Sequence, residues 1–570
     1  MLPTVERSVP PGYSDAVAAL EKSGVNPWVA RSLVLRGVED PAQAAGAYRL
    51  EHYRSLRGIR DVALAIARGI MAKERFVVVA DYDCDGATAC AVAVSGLRAL
   101  GADIDFVVPN RFLHGYGLTP SVVEMVCPMA PHWIITVDNG IASNAGVDAA
   151  NAHGIGVLVT DHHLPGSSLP AAAGIVNPNQ PGCEFPSKNL AGVGVMYYVL
   201  AAVRDALKAL GALPDPEPNL AGWLDLVALG TVADVVKLDA NNRWLVRQGL
   251  KQIRAGGARP GIQALFEVAG KDWSRATAQD FGFGLGPRIN AAGRLEDMTY
   301  GIRCLLAQTK EEALGYAYQL DEFNRRRKDI EAGMRATAGQ AIDLSGQAGQ
   351  FTRVVFDESF HEGVIGIVAG RIKETDHAPV LVFAPATESG FLKGSGRSIP
   401  GLHLRDALDL VHKRGNNLFE KFGGHAMAAG VTLPADRLEE FSTLFEAAVQ
   451  EMMGGHLDQK VLVVDGVLPS SAMNLATAEA FGEQIWGQGF EEPMFLGDFK
   501  LLEARLIGKD PKSPHLKMRV EAGGQVFEAL HFFCADLPQG EEVTLAYRMS
   551  VNEFNGRRAV NLMVVDKEVR

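Results

Sequence analysis

Asp81-Tyr82-Asp83-Cys84-Asp85-Gly86 places three carboxylates at alternate positions of one short stretch. Like charges held so close raise one another's pKa, and hard oxygen ligands around a divalent cation relieve that repulsion. A solvated turn rich in Asp and Gly is the plainer alternative. An EF-hand loop fits poorly, because no Glu stands at the twelfth position and the flanks read strand then helix. Three further stretches carry the same residue types: Asp138 within Thr136-Val-Asp-Asn-Gly140, then Asp161-His162-His163, then Asp234 closing the apolar segment Trp223–Asp234. Each has an ordinary explanation by itself, since Asp-Asn-Gly turns well and a buried His commonly satisfies a backbone carbonyl. Together they point to a metal site, because independent turns have no reason to supply only Asp, His and Arg.

These stretches need a scaffold, and the runs before them supply one. Phe76–Ala80, Phe106–Val108, Ile134–Val137 and Gly156–Thr160 are apolar runs separated by helix-like segments of crossover length, which predicts a mainly parallel sheet. The first run ends in the carboxylate cluster, the second in Asn110, Arg111, His114 and Tyr116, the third in Asp138 and the fourth in Asp161-His162-His163. All four therefore deliver polar groups to one edge, in the crevice where open α/β sheets bind ligands. Asp234 adds to the reading, since a carboxylate in a helix's last turn opposes the macrodipole.

At 570 residues the chain is too long for one core. The net charge of −12 argues against holding a polyanion by bulk electrostatics and leaves room for a local basic groove. Six cysteines without a CxxC pair suggest neither a zinc ribbon nor a disulfide framework, and fit a reduced cytoplasm. The amino terminus has no apolar core of a signal peptide, and the longest apolar run, Leu190–Val203, falls short of the roughly 20 residues that span a bilayer. No membrane association is expected.

Residues 1–50 read as a small helical segment. Further on, Phe281-Gly-Phe-Gly-Leu-Gly-Pro-Arg288-Ile-Asn290-Ala-Ala-Gly-Arg294 reads as a glycine-rich loop beside two arginines, suited to close approach of a phosphate or simply a tight connection. Residues 310 to 345 have one long helical period, with the basic run Asn324-Arg-Arg-Arg-Lys328 facing either a nucleic-acid track or solvent. A second α/β lobe follows over 350–455, where Lys393-Gly-Ser395-Gly-Arg397-Ser398 is a phosphate-cradle candidate built on exposed backbone N–H groups, Ser and Arg. The last hundred or so residues carry short β-type runs, which suggests a small barrel.

With these motifs in hand, the chain resembles the DHH phosphoesterase superfamily, and within it the bacterial RecJ family of single-stranded-DNA exonucleases. The likeness runs through Asp81–Gly86, Asn110-Arg111 with Gly115-Tyr-Gly-Leu118, Thr136–Gly140, Asp161–His163, Gly230–Asp234, Gly286–Arg294, Gly394–Ser398 and Gly423-Gly-His-Ala-Met427. It implies an α/β fold with five parts: a helical segment 1–50, a mainly parallel-sheet catalytic lobe 51–305, a connecting helix 306–349, a second smaller α/β lobe of DHHA1 type at 350–455, and an OB-fold barrel at 456–570. It implies a two-metal site in which Asp81, Asp83, Asp85, Asp138, His162 and Asp234 hold the ions, with Asp138 bridging and Asp138, His162 and His163 catalytic. The imidazole ligand tilts the preference toward Mn²⁺, with Mg²⁺ as the alternative.

Arg111, Ser395 and Arg397 would bind a 5′-terminal phosphate as the second lobe closes over the substrate, with Tyr116, Arg288, Asn290, Arg294 and His425 completing the substrate-binding set. Lys509, Lys512, His515, Lys517 and Arg519 would give the barrel a strand-tracking face. The implied activity is 5′→3′ hydrolysis of single-stranded DNA to mononucleotides in recombination and repair. The chain would act as a cytoplasmic monomer, with a RecQ-type helicase and a single-strand-binding protein as collaborators. Two other readings remain: a DHH phosphodiesterase for oligoribonucleotides or cyclic dinucleotides, which would not need the barrel, and a non-catalytic strand-binding scaffold.

Overall fold

Phe76 to Ala80 are apolar at every position, a pattern suited to a strand covered on both faces. In a computed structural model, which describes residues 1–46, 50–110, 113–345, 349–508, 514–554 and 556–569, strand Arg75–Ala80 lies inside a five-stranded sheet. The spatial order is Asp103–Val107, Arg75–Ala80, Trp133–Val137, Gly156–Thr160, Gly174–Val176, parallel throughout. The fourfold strand pattern in the sequence is thus present, and a fifth strand of three residues extends it. Val77 and Val79 pack with Leu118, Val122, Ile134, Val147, Val157 and Val159 into one buried cluster. Each such side chain, fully removed from water, contributes about 1.5–3 kcal/mol. Helices Cys84–Ala99, Gly192–Ala209 and Leu224–Ala233 carry the loops that meet the sheet's rim.

The chain divides into two units. The first comprises Met1–Ile289, Met298–Ala317 and Val461–Arg570, and the second Asn290–Asp297 and Tyr318–Lys460. In the first unit the amino-terminal segment is not purely helical: strand Thr4–Glu6 pairs in parallel with Leu462–Val464. Nearby, Arg36 and Asp465 form a buried ion pair at 2.7 Å. Strands Phe495–Ile507, His515–Ala522, Gln525–His531, Glu542–Phe554 and Arg557–Val569 close into a barrel in which Leu516, Met518, Val520, Val543, Leu545 and Tyr547 are buried. Of the β-type runs expected to build the barrel, the first, Val461–Val464, lies outside it, because its pairing partner is the amino terminus.

Within the second unit, the sheet order is Lys421–Gly424, Ala428–Pro434, Phe391–Arg397, Val380–Pro385, Arg353–Phe356. The long helix spans Lys310–Ser345, as its periodicity predicts, and the boundary between the units falls within its first turns. Its basic run has carboxylate neighbours: the exposed Arg325 pairs with Asp321, the exposed Arg326 with Glu296 at 2.7 Å, and the buried Arg327 with Glu331 at 2.5 Å. Among the described residues no helix is long and apolar enough to cross a membrane.

Candidate metal centre

Three parallel strands end on the same rim, and each is prolonged by one ladder bond at its terminal carboxylate. The N–H of Asp81 donates to Val137 O (3.3 Å), that of Asp138 to Thr160 O (3.0 Å) and that of Asp161 to Val176 O (3.1 Å). The register of the sheet therefore aligns these residues although some eighty positions separate the first from the last. Asp83 caps helix Cys84–Ala99, its Oδ1 accepting from Gly86 N–H (2.9 Å). Asp85, in the first turn of that helix and wholly buried, accepts from the N–H groups of Gly192 (2.5 Å) and Val193 (2.9 Å), so it faces the amino end of helix Gly192–Ala209. That end of a helix favours a negative charge. Asp234 closes helix Leu224–Ala233. Asp138 sits at φ 62°, a left-handed conformation that non-glycine residues occupy mainly where surrounding structure enforces it.

The ligand atoms of Asp81, Asp83 and Asp138 lie within 4.8 Å of one another, as do those of Asp85, His162 and Asp234, and those of Asp138, His162 and His163. Burial first, and then the neighbouring carboxylates, push Asp138 and Asp234 well above the usual carboxylate range, and burial with Asp83 lifts Asp85 to about 7. Burial and the adjacent His163 depress His162 to about 4, leaving a neutral imidazole. Its Nε2 lies 3.1 Å from Asp138 Oδ1, yet both atoms are buried without a hydrogen-bond partner. The ring also bonds to the Leu190 backbone, which orients the open nitrogen toward the carboxylates. A crowd of buried acids, a neutral imidazole and two orphaned donor atoms facing each other fit a divalent cation and leave protein hydrogen bonding unsatisfied without one.

Asp161 plays a different part. Its oxygens accept from the N–H groups of His162 (2.7 Å), His163 (3.1 Å) and Ile141 (2.9 Å), and from His163 Nδ1 (2.8 Å). Burial opposes its charge, but the His163 bond and charge outweigh that and hold it below the usual range. Conversely, burial would lower His163, while Asp161 first and then Asp81 and Asp83 raise it to about 9. Asp161 thus holds the backbone of both histidines and the ring of His163 rather than joining the ligand cluster.

Other contributors escaped the sequence reading. Asn179 Nδ2 donates to His162 O (2.6 Å), Asn177 Nδ2 to His163 O (2.9 Å), and buried Asn139 Nδ2 to Val79 O (3.1 Å) and Val137 O (2.9 Å), tying two ligand-bearing strands. The signal for the first two was present: Gly174-Ile-Val-Asn-Pro-Asn179 repeats the pattern of an apolar run followed by polar groups.

Of the remaining candidates, Arg111 lies outside the described residues. Tyr116 meets the cluster, with its hydroxyl donating to Asp138 O (3.3 Å) and lying 3.3 Å from His163 Nε2. The glycine-rich stretch is helical rather than a loop: a π-helical turn, Phe281–Leu285, runs directly into helix Gly286–Leu295. Glycine there serves packing, since a Cβ at Gly286 would stand 3.1 Å from Ala233 Cβ. Arg288 donates to Gly284 O (2.7 Å), and Arg294 to Gly363 O (3.2 Å) from the same helix that carries Asn290.

In the second unit, the expected cradle of exposed N–H groups is corrected. Phe391–Arg397 is an interior strand paired on both sides, so its backbone is committed to the sheet. Gly394 and Gly396 face Phe383 and Leu404, where a Cβ would crowd the core. What remains is a side-chain site. Ser395 and Arg397 share the opposite face beside Gly366, and Arg397 NH1 donates to Gly396 O (2.8 Å) and Ser395 Oγ (3.3 Å). Burial lowers the Arg397 pKa, with no carboxylate among the causes. His425 is exposed at the hairpin turn, its N–H donating to Ala428 O (2.8 Å). On the barrel, Lys517 pairs with Glu528 at 2.9 Å and Arg519 with Glu503 at 3.7 Å, so two of the expected cations have carboxylate neighbours; Lys509 and Lys512 lie outside the described residues.

Comparison with known proteins covers the same segments. Residues 75–231 match the DHH family, N-terminal domain, residues 348–451 the DHHA1 domain, and residues 464–566 the RecJ OB domain. The chain is 46% identical to the single-stranded-DNA-specific exonuclease RecJ of Dickeya dadantii, over 99% of this chain and 97% of the relative. It is 44% identical to the protein of that name from Escherichia coli, over 94% and 95% respectively. RecJ of Thermus thermophilus, solved in complex with Mn²⁺, superposes with a TM-score of 0.81 at 30% identity, covering 99% of this chain and 79% of that one.

Proposed function

We propose the following activity from the premise that this chain belongs to the RecJ family of single-stranded-DNA-specific exonucleases. It is a metal-dependent exonuclease that hydrolyses single-stranded DNA from the 5′ end and releases 5′-mononucleotides in recombination and repair. Two divalent cations, Mn²⁺ in preference to Mg²⁺, would be held there, one by Asp81, Asp83 and Asp138 and the other by Asp85, His162 and Asp234. Asp138 would be shared between them, being close to His162 while belonging to the first set. The observation that carries this reading is the meeting of those side chains within 4.8 Å in overlapping sets, with buried donor atoms left unsatisfied. When bound, such a pair activates water near neutral pH and stabilises the leaving oxygen of an in-line displacement at phosphorus.

The chain's own residues do the rest. Neutral His162 offers a nitrogen lone pair, His163 holds a proton beside the scissile phosphate, and Asp161 keeps the His163 ring and the backbone of both histidines in place. Ser395 and Arg397 take the 5′-phosphate: a largely buried guanidinium, with no carboxylate partner among the described residues, attracts an anion. The closed barrel favours a long strand over a dinucleotide substrate. The protein works in the cytoplasm, with a helicase and a single-strand-binding protein supplying strands.

The test is 5′-labelled single-stranded DNA, its duplex and a cyclic dinucleotide, each with Mn²⁺ and with chelator. Labelled mononucleotide from the single strand alone, lost with chelator, is expected; cleavage of the dinucleotide alone would transfer the chain to the other phosphodiesterase class. A second expectation concerns the end. Arg397→Ala should cut the preference for a 5′-phosphorylated over a 5′-hydroxyl strand by about 10- to 100-fold, the worth of a hydrogen bond to a charged group. An unchanged ratio would place end recognition elsewhere.

A further inference from the structure

Phe283 is the most exposed Phe or Tyr among the described residues, at 85%. A lone exposed apolar residue needs no explanation, but the turn that carries this one is held in place on its other side. It projects from the π-helical turn Phe281–Leu285, a rare geometry that recurs at functional sites. Phe281 is buried edge-on against Phe266, with ring centroids 6.2 Å apart, and Leu285 is buried too, so the turn is anchored on one side and Phe283 points out on the other. Gly282 and Gly286 bring the turn against Val232 and Ala233, with a Cβ at either lying 3.7 Å and 3.1 Å from those side chains. The next residue is Asp234, a proposed cation ligand. Arg288 ties off the turn through Gly284 O (2.7 Å), the carbonyl one residue beyond Phe283, and a Cβ at Gly284 would meet nothing within 4 Å. The result is an exposed aromatic side chain on an anchored turn, with open space beside it, an arginine bonded to that turn, and the turn packed on the helix end that leads into the proposed ligand Asp234.

We propose that Phe283 is a stacking platform for an unpaired base of the strand being degraded, and that it contributes to the choice of single strands over duplex. The inference rests on the exonuclease reading. A base has a free face only when it is unstacked, and every base presents one, so an aromatic platform selects single strands without reading sequence. Arg288 would hold an adjoining phosphate while the ring holds the base.

The experiment uses the full chain and two 5′-phosphorylated single strands, one intact and one abasic over its 5′-terminal residues, with KM and kcat read for each. Phe283→Ala should raise KM on the intact strand by roughly tenfold to a hundredfold, the range for loss of one stacked base. Phe283→Trp should restore it. On the abasic strand, wild type and Phe283→Ala should coincide, because no base remains to stack. An unchanged KM for Phe283→Ala, or an equal loss on both strands, would overturn the proposal, the second outcome marking a structural role. A shift in oligomeric state caused by Phe283→Ala would overturn it as well, showing the ring covered by a second copy. If the wild-type chain hydrolyses neither strand, the exonuclease reading fails and this inference with it.

Discussion

Asp138→Asn is expected to lower kcat on single-stranded DNA by roughly four orders of magnitude, because the substitution removes the one charge that both proposed cation positions share. The change is nearly isosteric, and Asn tolerates the left-handed backbone that Asp138 adopts at φ 62°, so the fold should persist. Without metal, the variant should melt no lower than wild type. Asp138 is buried among Asp85, Asp83, Asp81 and Asp234, and removing one member of that crowd lessens the repulsion within it. With metal the order should reverse. Wild type gains stability as cations bind, by about 2.7 kcal/mol at a hundred times the dissociation constant, and the variant should gain far less. Thermal melts with and without Mn²⁺, alongside turnover, check both halves. Substantial residual activity, or an undiminished Mn²⁺ response, would remove Asp138 from the bridging position.

Gly192→Ala should be almost as damaging, although the residue carries no functional group. Its N–H holds Asp85 Oδ2 at 2.5 Å, while a Cβ would stand 2.6 Å from both Asp138 Cβ and Oδ1. The glycine is pinned between two carboxylates, one bound by its backbone and the other admitted by its missing side chain. An added methyl must displace Asp138 or pull the helix end off Asp85, and either change spoils the spacing of the ligands. A loss of about 100-fold in kcat, with a raised Mn²⁺ requirement, is the expected result, on the scale of misplacing a reacting group by an ångström. Gly194→Ala provides the control. Its Cβ would meet Leu190 Cδ2 at 3.2 Å, which a flexible side chain absorbs, so activity should stay within about threefold. Equal activity for the two variants would show that the helix start does not position the site.

Where the structure departs from the sequence reading, the cause is long-range pairing. Lys393–Ser398 read as an open cradle because Gly, Ser and Arg look the same in a loop and in an interior strand. Only neighbours on both sides, Val380–Pro385 and Ala428–Pro434, show that its N–H groups are committed. The Gly-Phe-Gly-Leu-Gly stretch read as a loop on local propensity, and packing against Val232 and Ala233 made it helical. The basic run Arg325–Arg327 could be found in the sequence, while the carboxylates that neutralise it, at positions 296, 321 and 331, could not be assigned to it there.

What the linear chain determined is the identity and order of the chemistry: short unbroken apolar runs that must be strands, and carboxylates and imidazoles following each run. A run of apolar side chains and the polar residues that end it are local properties, so both are written in neighbouring residues. The tertiary structure decided which of those groups share a point in space and which support them. Asp161 looks identical to Asp138 in sequence, yet backbone N–H groups make Asp161 an anchor, while Asp138 keeps a buried Oδ1 without a hydrogen-bond partner. That distinction rests on the register of separate strands and on a helix start at Gly192, contacts that form only when distant segments pack.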